Sequence, residues 1–258
     1  MTQKQLEVAQ EKLLKDNYVA FRNKLTELFP DRIDNLNKMY DYFESRIINL
    51  PASGIEHYHN AFKGGYIDHV LRVVEFAERE YNHWKSCGLK VDNFTLTELQ
   101  FAAFHHDLGK LGMIGDYKPY PENTSEWHRK NQGKIYNHDS NQPFMLVPDL
   151  SLFILQHFDV KMSWSEYLAI RTHDGVYDRA NEAYFFSSQK DSKSRTNINQ
   201  ILHNADFIAA RYEFEQWAIS NPDKFTFYEP KFVANSPVIV PKKVHDFSAI
   251  DDIFKDLI

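Results

Sequence analysis

The stretch FAAFHHDLGKLG, Phe101–Gly112, sets two imidazoles and a carboxylate at the end of an otherwise apolar segment. A helix that is apolar on nearly every side belongs in a core, and an unpaired charge there costs on the order of several kcal/mol. Any fold of this chain must therefore satisfy His106 and Asp107 with strong internal partners or place a cation against them.

Composition narrows the choice. The 258 residues can bury a substantial core. The balance of 30 Lys+Arg against 36 Asp+Glu gives −6, which does not suit a protein that coats duplex nucleic acid, so a polyanionic substrate would be gripped locally. The single cysteine, Cys87, excludes an internal disulfide and a Cys-based zinc cluster and suits a reducing cytosol. MTQKQLEVAQEKLLKDN lacks the apolar core of a signal peptide, and no stretch approaches the length of a membrane span. The expectation is a soluble, cytoplasmic protein with no membrane partner. Twelve histidines are the one oddity.

Periodicity predicts helices almost throughout. Leu6, Leu13, Leu14, Val19, Phe21, Leu25 and Leu28 recur at helical spacing, then Phe29-Pro30-Asp31 breaks the pattern before a second helix through Tyr40 and Ile47. This is a helical hairpin over residues 1–50. PASGIEHYHNAFKGG, residues 51–65, is a loop. His69 opens an amphipathic run with Val70, Val73, Val74, Ala77 and Tyr81. Thr95 and Glu98 have capping-box spacing, so a helix starts there, carries Leu96, Leu99, Ala102, Ala103 and His106 on one stripe, and is expected to end at Gly109. The polar excursion from Gly115 to Gln142 is too long for a bland connection and is a candidate lid. Ser163 and Glu166 form a second capping box for a helix ending at His173, and a last helix from Ile198 to about Trp217 puts Leu202, Ala205, Asp206 and Ala209 on one face. Beyond Pro222, KFTFYEPKFV and SPVIVPKKV read as a short hairpin or extended, β-like arm cut by prolines. The organisation is a hairpin (1–50), a helical core (51–217) and a C-terminal arm (218–258).

The polar exceptions on the apolar helix faces are His69, His106, Asp107, His173 and Asp206, with His138 in the segment between. Mixed imidazole and carboxylate donors suit Mn, Fe, Co, Ni or Zn, whereas Mg or Ca alone favours an all-oxygen shell. A lone histidine such as His69 on an apolar face is more often a hydrogen-bonded core residue than a ligand. Asp206 tips the reading, because a carboxylate on a buried stripe requires a cation or a strong donor.

His69, then His106-Asp107 in HHDLGK, then Asp206 in HNADFIAAR resembles the ordered signature of HD-domain metal-dependent phosphohydrolases. YHNAFKGGYIDH is similar to the entry loop of HD proteins related to bacterial 3′–5′ exoribonucleases, and NHDSNQPFML and AIRTHDG resemble the next elements in those proteins. The likeness runs from about Pro51 to Tyr212 and implies an all-α HD-domain bundle. It implies that His69, His106, Asp107 and Asp206 hold a first metal, with Asp107 bridging, and that His138 and His173 complete a second site. His128 competes with His138, which is preferred because Ser140 comes after it in the expected pattern.

The chemistry so implied is hydrolysis of a phosphate ester, in a nucleotide or short oligonucleotide, by water activated between one or two divalent transition metal ions. Lys110 is assigned to a phosphate oxygen. His59, near its ordinary pKa, is a candidate for substrate binding or for protonating a leaving oxygen. Arg171, Tyr177 and Arg179 flank His173 and are candidates for phosphate or base contacts. His105 is expected to pack, His203 to support the site, and His83, His157 and His245 to lie at the surface. Two alternatives share the residues: an HD-type di-iron oxygenase, and a non-catalytic module that binds a nucleotide.

Overall fold

The hairpin forms because Phe29 and Pro30 interrupt an otherwise continuous helical pattern. In the computed structural model, which describes residues 3–187, 190 and 194–227 with side chains from Val8 onward, α1 (Gln3–Leu28) and α2 (Ile33–Ile47) are joined by a single 3₁₀ turn at Pro30–Arg32. Phe21 and Phe29 leave the hairpin to meet Phe104 and Phe101, with ring centroids 4.9 and 5.2 Å apart, so the hairpin shares one apolar core with the helical body.

That body adds seven helices among the described residues: α3 (Gly65–Ser86), α4 (Leu96–His105), α5 (Glu126–Gln132), α6 (Val147–His157), α7 (Trp164–Thr172), α8 (Glu182–Phe186) and α9 (Ile198–Ser220). No strand occurs among the described residues, and the architecture is an all-α bundle. The β-like arm expected beyond Pro222 falls almost wholly on residues 228–258, outside the described residues. No described helix is long and apolar enough to cross a membrane.

α3 lies along α9, and α4 packs against both α3 and α7. Both expected capping boxes are present. The Glu98 amide donates to Thr95 Oγ1 at 3.1 Å, and the Glu166 amide to Ser163 Oγ at 3.2 Å. Glu166 has a second task, because Arg32 from the hairpin grips its buried carboxylate with two 2.8 Å hydrogen bonds while stacking 3.7 Å over Phe101. That bidentate pair ties α7 to the hairpin across α4.

α4 stops sooner than the glycine pattern suggests. It ends at His105, and Leu108–Leu111 form a separate 3₁₀ turn. Gly109 is a glycine for a different reason, since a Cβ there would lie 2.3 Å from the Val147 carbonyl oxygen. The turn presses directly on α6, where the Ser151 hydroxyl accepts the Gly109 amide at 2.8 Å.

The 115–142 excursion holds the short helix α5 and is tied to the entry loop. The Ile135 and Tyr136 amides donate to Gly54 O at 2.9 and 3.1 Å, and the Glu56 amide to Gly133 O at 2.7 Å.

Candidate metal centre

Two helix ends and two helix faces converge on one point. His106 and His173 are each the residue that closes a helix, α4 and α7. The last turn of a helix leaves carbonyls without intrahelical donors. Each histidine supplies one from Nδ1, His106 to Ala103 O at 2.8 Å and His173 to Ile170 O at 2.9 Å. An acceptor opposite Nδ1 fixes the proton there, so each Nε2 points into the cluster.

His69, in the second turn of α3, has no spare carbonyl. Its Nδ1 donates to the Glu213 carboxylate on α9, at 3.1 and 3.2 Å. Glu213 is itself buried and receives Arg72 Nη1 at 3.2 Å, and Arg72 also donates to Asp68, which accepts Asn60 Nδ2 at 2.6 Å. The carboxylate is paired on both sides, which a buried charge requires.

The Nε2 atoms of His69 and His106 are buried and make no hydrogen bond. His69 Nε2 lies 3.2 Å from Asp206 Oδ1 and 3.6 Å from Asp107 Oδ2; His106 Nε2 lies 3.7 and 3.4 Å from the same two oxygens. Donor atoms bound to one ion at about 2.0–2.2 Å are about 3.0 Å apart along an octahedral edge and about 3.4 Å along a tetrahedral one. The observed separations are therefore those of a ligand shell, within a few tenths of an ångström. Asp107 turns its other oxygen, Oδ1, toward His173 Nε2 at 3.7 Å. Two groups able to hold a metal ion result, His69 with His106 and Asp206, and His106 with Asp107 and His173.

The electrostatics call for the same positive charge. Burial alone depresses the His69 and His173 imidazoliums, yet Glu213 and Asp206 raise His69 to about 10, and Asp107 and Asp174 raise His173 to about 9. Asp107 is held well below the usual carboxylate range, against its burial, by Lys110 and His106, and Asp206 is lowered by His69 and His106. Protons here report an affinity that a divalent cation would also satisfy, and binding one would release them.

Lys110 is no solvated lysine. Its Nζ lies 2.6 Å from Asp107 Oδ2, donates to Ala52 O at 2.7 Å and reaches His59 Nε2 at 3.5 Å. Burial, then Lys110 and His69, push His59 down to about 3. The expectation of a histidine near its ordinary pKa does not describe it; His59 is a neutral acceptor beside the cluster. It opens with Asp174, Tyr177 and Asp206 on a cleft of about 750 Å³ whose wall includes Phe207 and Phe214.

The structure brings His69, His106, Asp107, His173 and Asp206 together and leaves His138 outside. That ring packs near Tyr120, centroids 5.0 Å apart, in a second cleft of about 500 Å³ that Lys110 also lines. His128 does not replace it, being exposed with Nδ1 on Ser125 Oγ at 2.8 Å. Both stand on the excursion, whose own turns and bridges to the entry loop set their positions. Arg171 is engaged elsewhere, its Nε 2.8 Å from Asp149 and its Nη1 3.2 Å from Asp178. Arg179 is exposed. His105 packs against Phe101, the tilted rings 4.2 Å apart between centroids, and His203 donates Nδ1 to the His173 carbonyl at 2.8 Å.

Sequence reasoning missed Glu213 and Arg72. Glu213 stands seven residues, two helical turns, after Asp206, so a second carboxylate on the same face of α9 was the available signal. Comparison of the chain with family models, with curated proteins and with solved structures finds no match.

Proposed function

We propose that the chain is a metal-dependent phosphohydrolase acting on a phosphate ester of a nucleotide or short oligonucleotide. One observation carries the metal reading: the buried, unpartnered Nε2 atoms of His69 and His106 face the carboxylates of Asp107 and Asp206 at ligand-shell distances. With Nδ1 already donating, a deprotonated Nε2 turns its lone pair on these carboxylate oxygens, and either a proton on Nε2 or a cation between them relieves the repulsion; a divalent cation would take the place of the protons. Mn, Fe, Co, Ni or Zn suits this donor set and supplies Lewis acidity, which makes water nucleophilic near neutral pH and neutralises phosphoryl oxygens.

The chain's own residues supply the rest. Asp107 turns Oδ2 toward His69 and His106 and Oδ1 toward His173. Lys110, its Nζ 2.6 Å from Asp107 Oδ2, is close enough to the cluster to meet a nonbridging oxygen of a phosphate held there. His59, kept neutral, accepts a hydrogen bond from Lys110 and holds its ammonium toward the cluster. The aromatic wall of Phe207, Phe214 and Tyr177 suits a flat organic group attached to that phosphate.

The test is anaerobic purification with elemental analysis, followed by a panel of nucleotides and short oligonucleotides with Mn and with Fe. Release of phosphate or of a nucleotide, dependent on metal and absent in Asp107→Ala, is the expected result. Metal-replete protein that is inert on every ester yet consumes dioxygen with an organophosphonate or polyol would replace this reading with the di-iron oxygenase. Nucleotide binding without turnover would replace it with the binding module.

A further inference from the structure

The geometry points to Asp174 as a ligand of a second cation, held with His173 and Asp107 in the position for which His138 was the expected residue. This inference rests on the metal reading above and extends it to a site with a different donor set. The Asp107 carboxylate divides its oxygens, Oδ2 facing the Nε2 atoms of His69 and His106 at 3.6 and 3.4 Å, and Oδ1 facing His173 Nε2 at 3.7 Å. A carboxylate so divided could serve two positions, and beside the second an imidazole, His173, and an oxygen, Asp107 Oδ1, are already in place. Asp174 Oδ1 lies 3.5 Å from the same His173 Nε2. Both separations match the edge of a coordination shell with bonds of about 2.0–2.2 Å, which is about 3.0–3.4 Å, to within a few tenths.

The local backbone explains why Asp174 is available. α7 stops at Thr172, His173 closes it, and Asp174 begins the turn that leads to Gly175. Gly175 has φ +57°, and a Cβ on it would meet the His203 ring at 2.4 Å. His203 presses into that space and holds the His173 carbonyl, so the turn cannot swing Asp174 away without losing the packing. The Asp174 side chain is partly exposed and shares the wall of the larger cleft with Asp206 and His59, so a cation held there would be within reach of water and substrate. His138, by contrast, lines the smaller cleft, which it shares with Lys110.

The experiment is titration of the metal-stripped 258-residue chain with Mn²⁺, followed by calorimetry and by the low-temperature electron paramagnetic resonance signal of coupled manganese pairs. Wild type should take up two equivalents and show the coupled signal. Asp174→Ala should keep the first equivalent and lose the second by tenfold or more in affinity, with the coupled signal gone and the helical circular dichroism unchanged. His138→Ala should behave as wild type. Two equivalents retained in Asp174→Ala, or the second lost in His138→Ala instead, would overturn the assignment. A wild type that binds one equivalent would overturn the second site while leaving the phosphohydrolase reading intact, and one that binds none would overturn both.

Discussion

The two halves of the cluster hold their imidazoles by different means. At the α4–α7 corner, His106 and His173 are oriented by carbonyls that the ends of their own helices leave available, three residues back in each case. Along the α3–α9 pair, His69 is oriented by a carboxylate from another helix, 144 residues away, which in turn needs Arg72, Asp68 and Asn60. The first device is local, contained in the closing turn of each histidine's own helix. The second exists only once α3 and α9 have docked, and it places an anion behind the imidazole, which raises the basicity of the ring as a ligand.

Asp107 joins the halves, and its loss should have the largest effect. Asp107→Ala removes the shared oxygen donors and leaves Lys110 without its carboxylate, so metal uptake and hydrolysis should both disappear while circular dichroism stays helical. Retained metal in this variant would mean that the halves bind independently. Glu213→Ala tests the carboxylate-held half alone. Outer partners of metal-bound histidines are typically worth about 10–100-fold in affinity, so Mn²⁺ binding should weaken by that factor, and Glu213→Gln, which still accepts from Nδ1, should recover part of it. An unchanged affinity would reduce Glu213 to a packing residue.

The difference between the halves also marks what was legible in the sequence. His106, Asp107 and His173 stand out because each interrupts an apolar helix at its end, and the two capping boxes announce where those helices begin. Asp206 stands out as a carboxylate on a buried stripe. Glu213 and Arg72 lie on otherwise ordinary amphipathic faces, and only the docking of α3 on α9 pairs them. The helix stop expected at Gly109 falls four residues earlier because that glycine answers to Val147 on α6, a contact between elements that local pattern does not encode. His138 stands on an excursion whose course is set by bridges to the 54–56 loop.

Gly175 sharpens the comparison from the side of the corner. Gly175→Ala forces a Cβ into the His203 ring at a backbone angle that L residues rarely adopt, a strain of about 1–3 kcal/mol. The melting temperature should fall, and because His203 holds the His173 carbonyl, the half of the site around His173 should lose affinity before the half around His69. Equal losses at both would show that the corner and the helix pair move as one body.

The caps at the far ends of α4 and α7 are where the smallest effects belong. Thr95→Ala and Ser163→Ala each remove an acceptor for the N3 amide, a loss of about 1 kcal/mol, or about 2–4 °C in melting temperature for a chain of this size. Glu98 adds a pH dependence. Its carboxyl is held below the ordinary range, against burial, by hydrogen bonds from Ser163 and Thr95. A depressed carboxylate contributes stability at neutral pH that is lost as pH falls through its folded value. The gap between wild type and Thr95→Ala should therefore narrow as pH is lowered from about 7 toward about 3, as read from thermal melts. Metal affinity at neutral pH should not change in either variant, because fraying the first turn of α4 leaves Ala103 and His106, in the last, where they are. A weakened site in Thr95→Ala would mean that the corner is aligned along the whole helix and not by its closing turn.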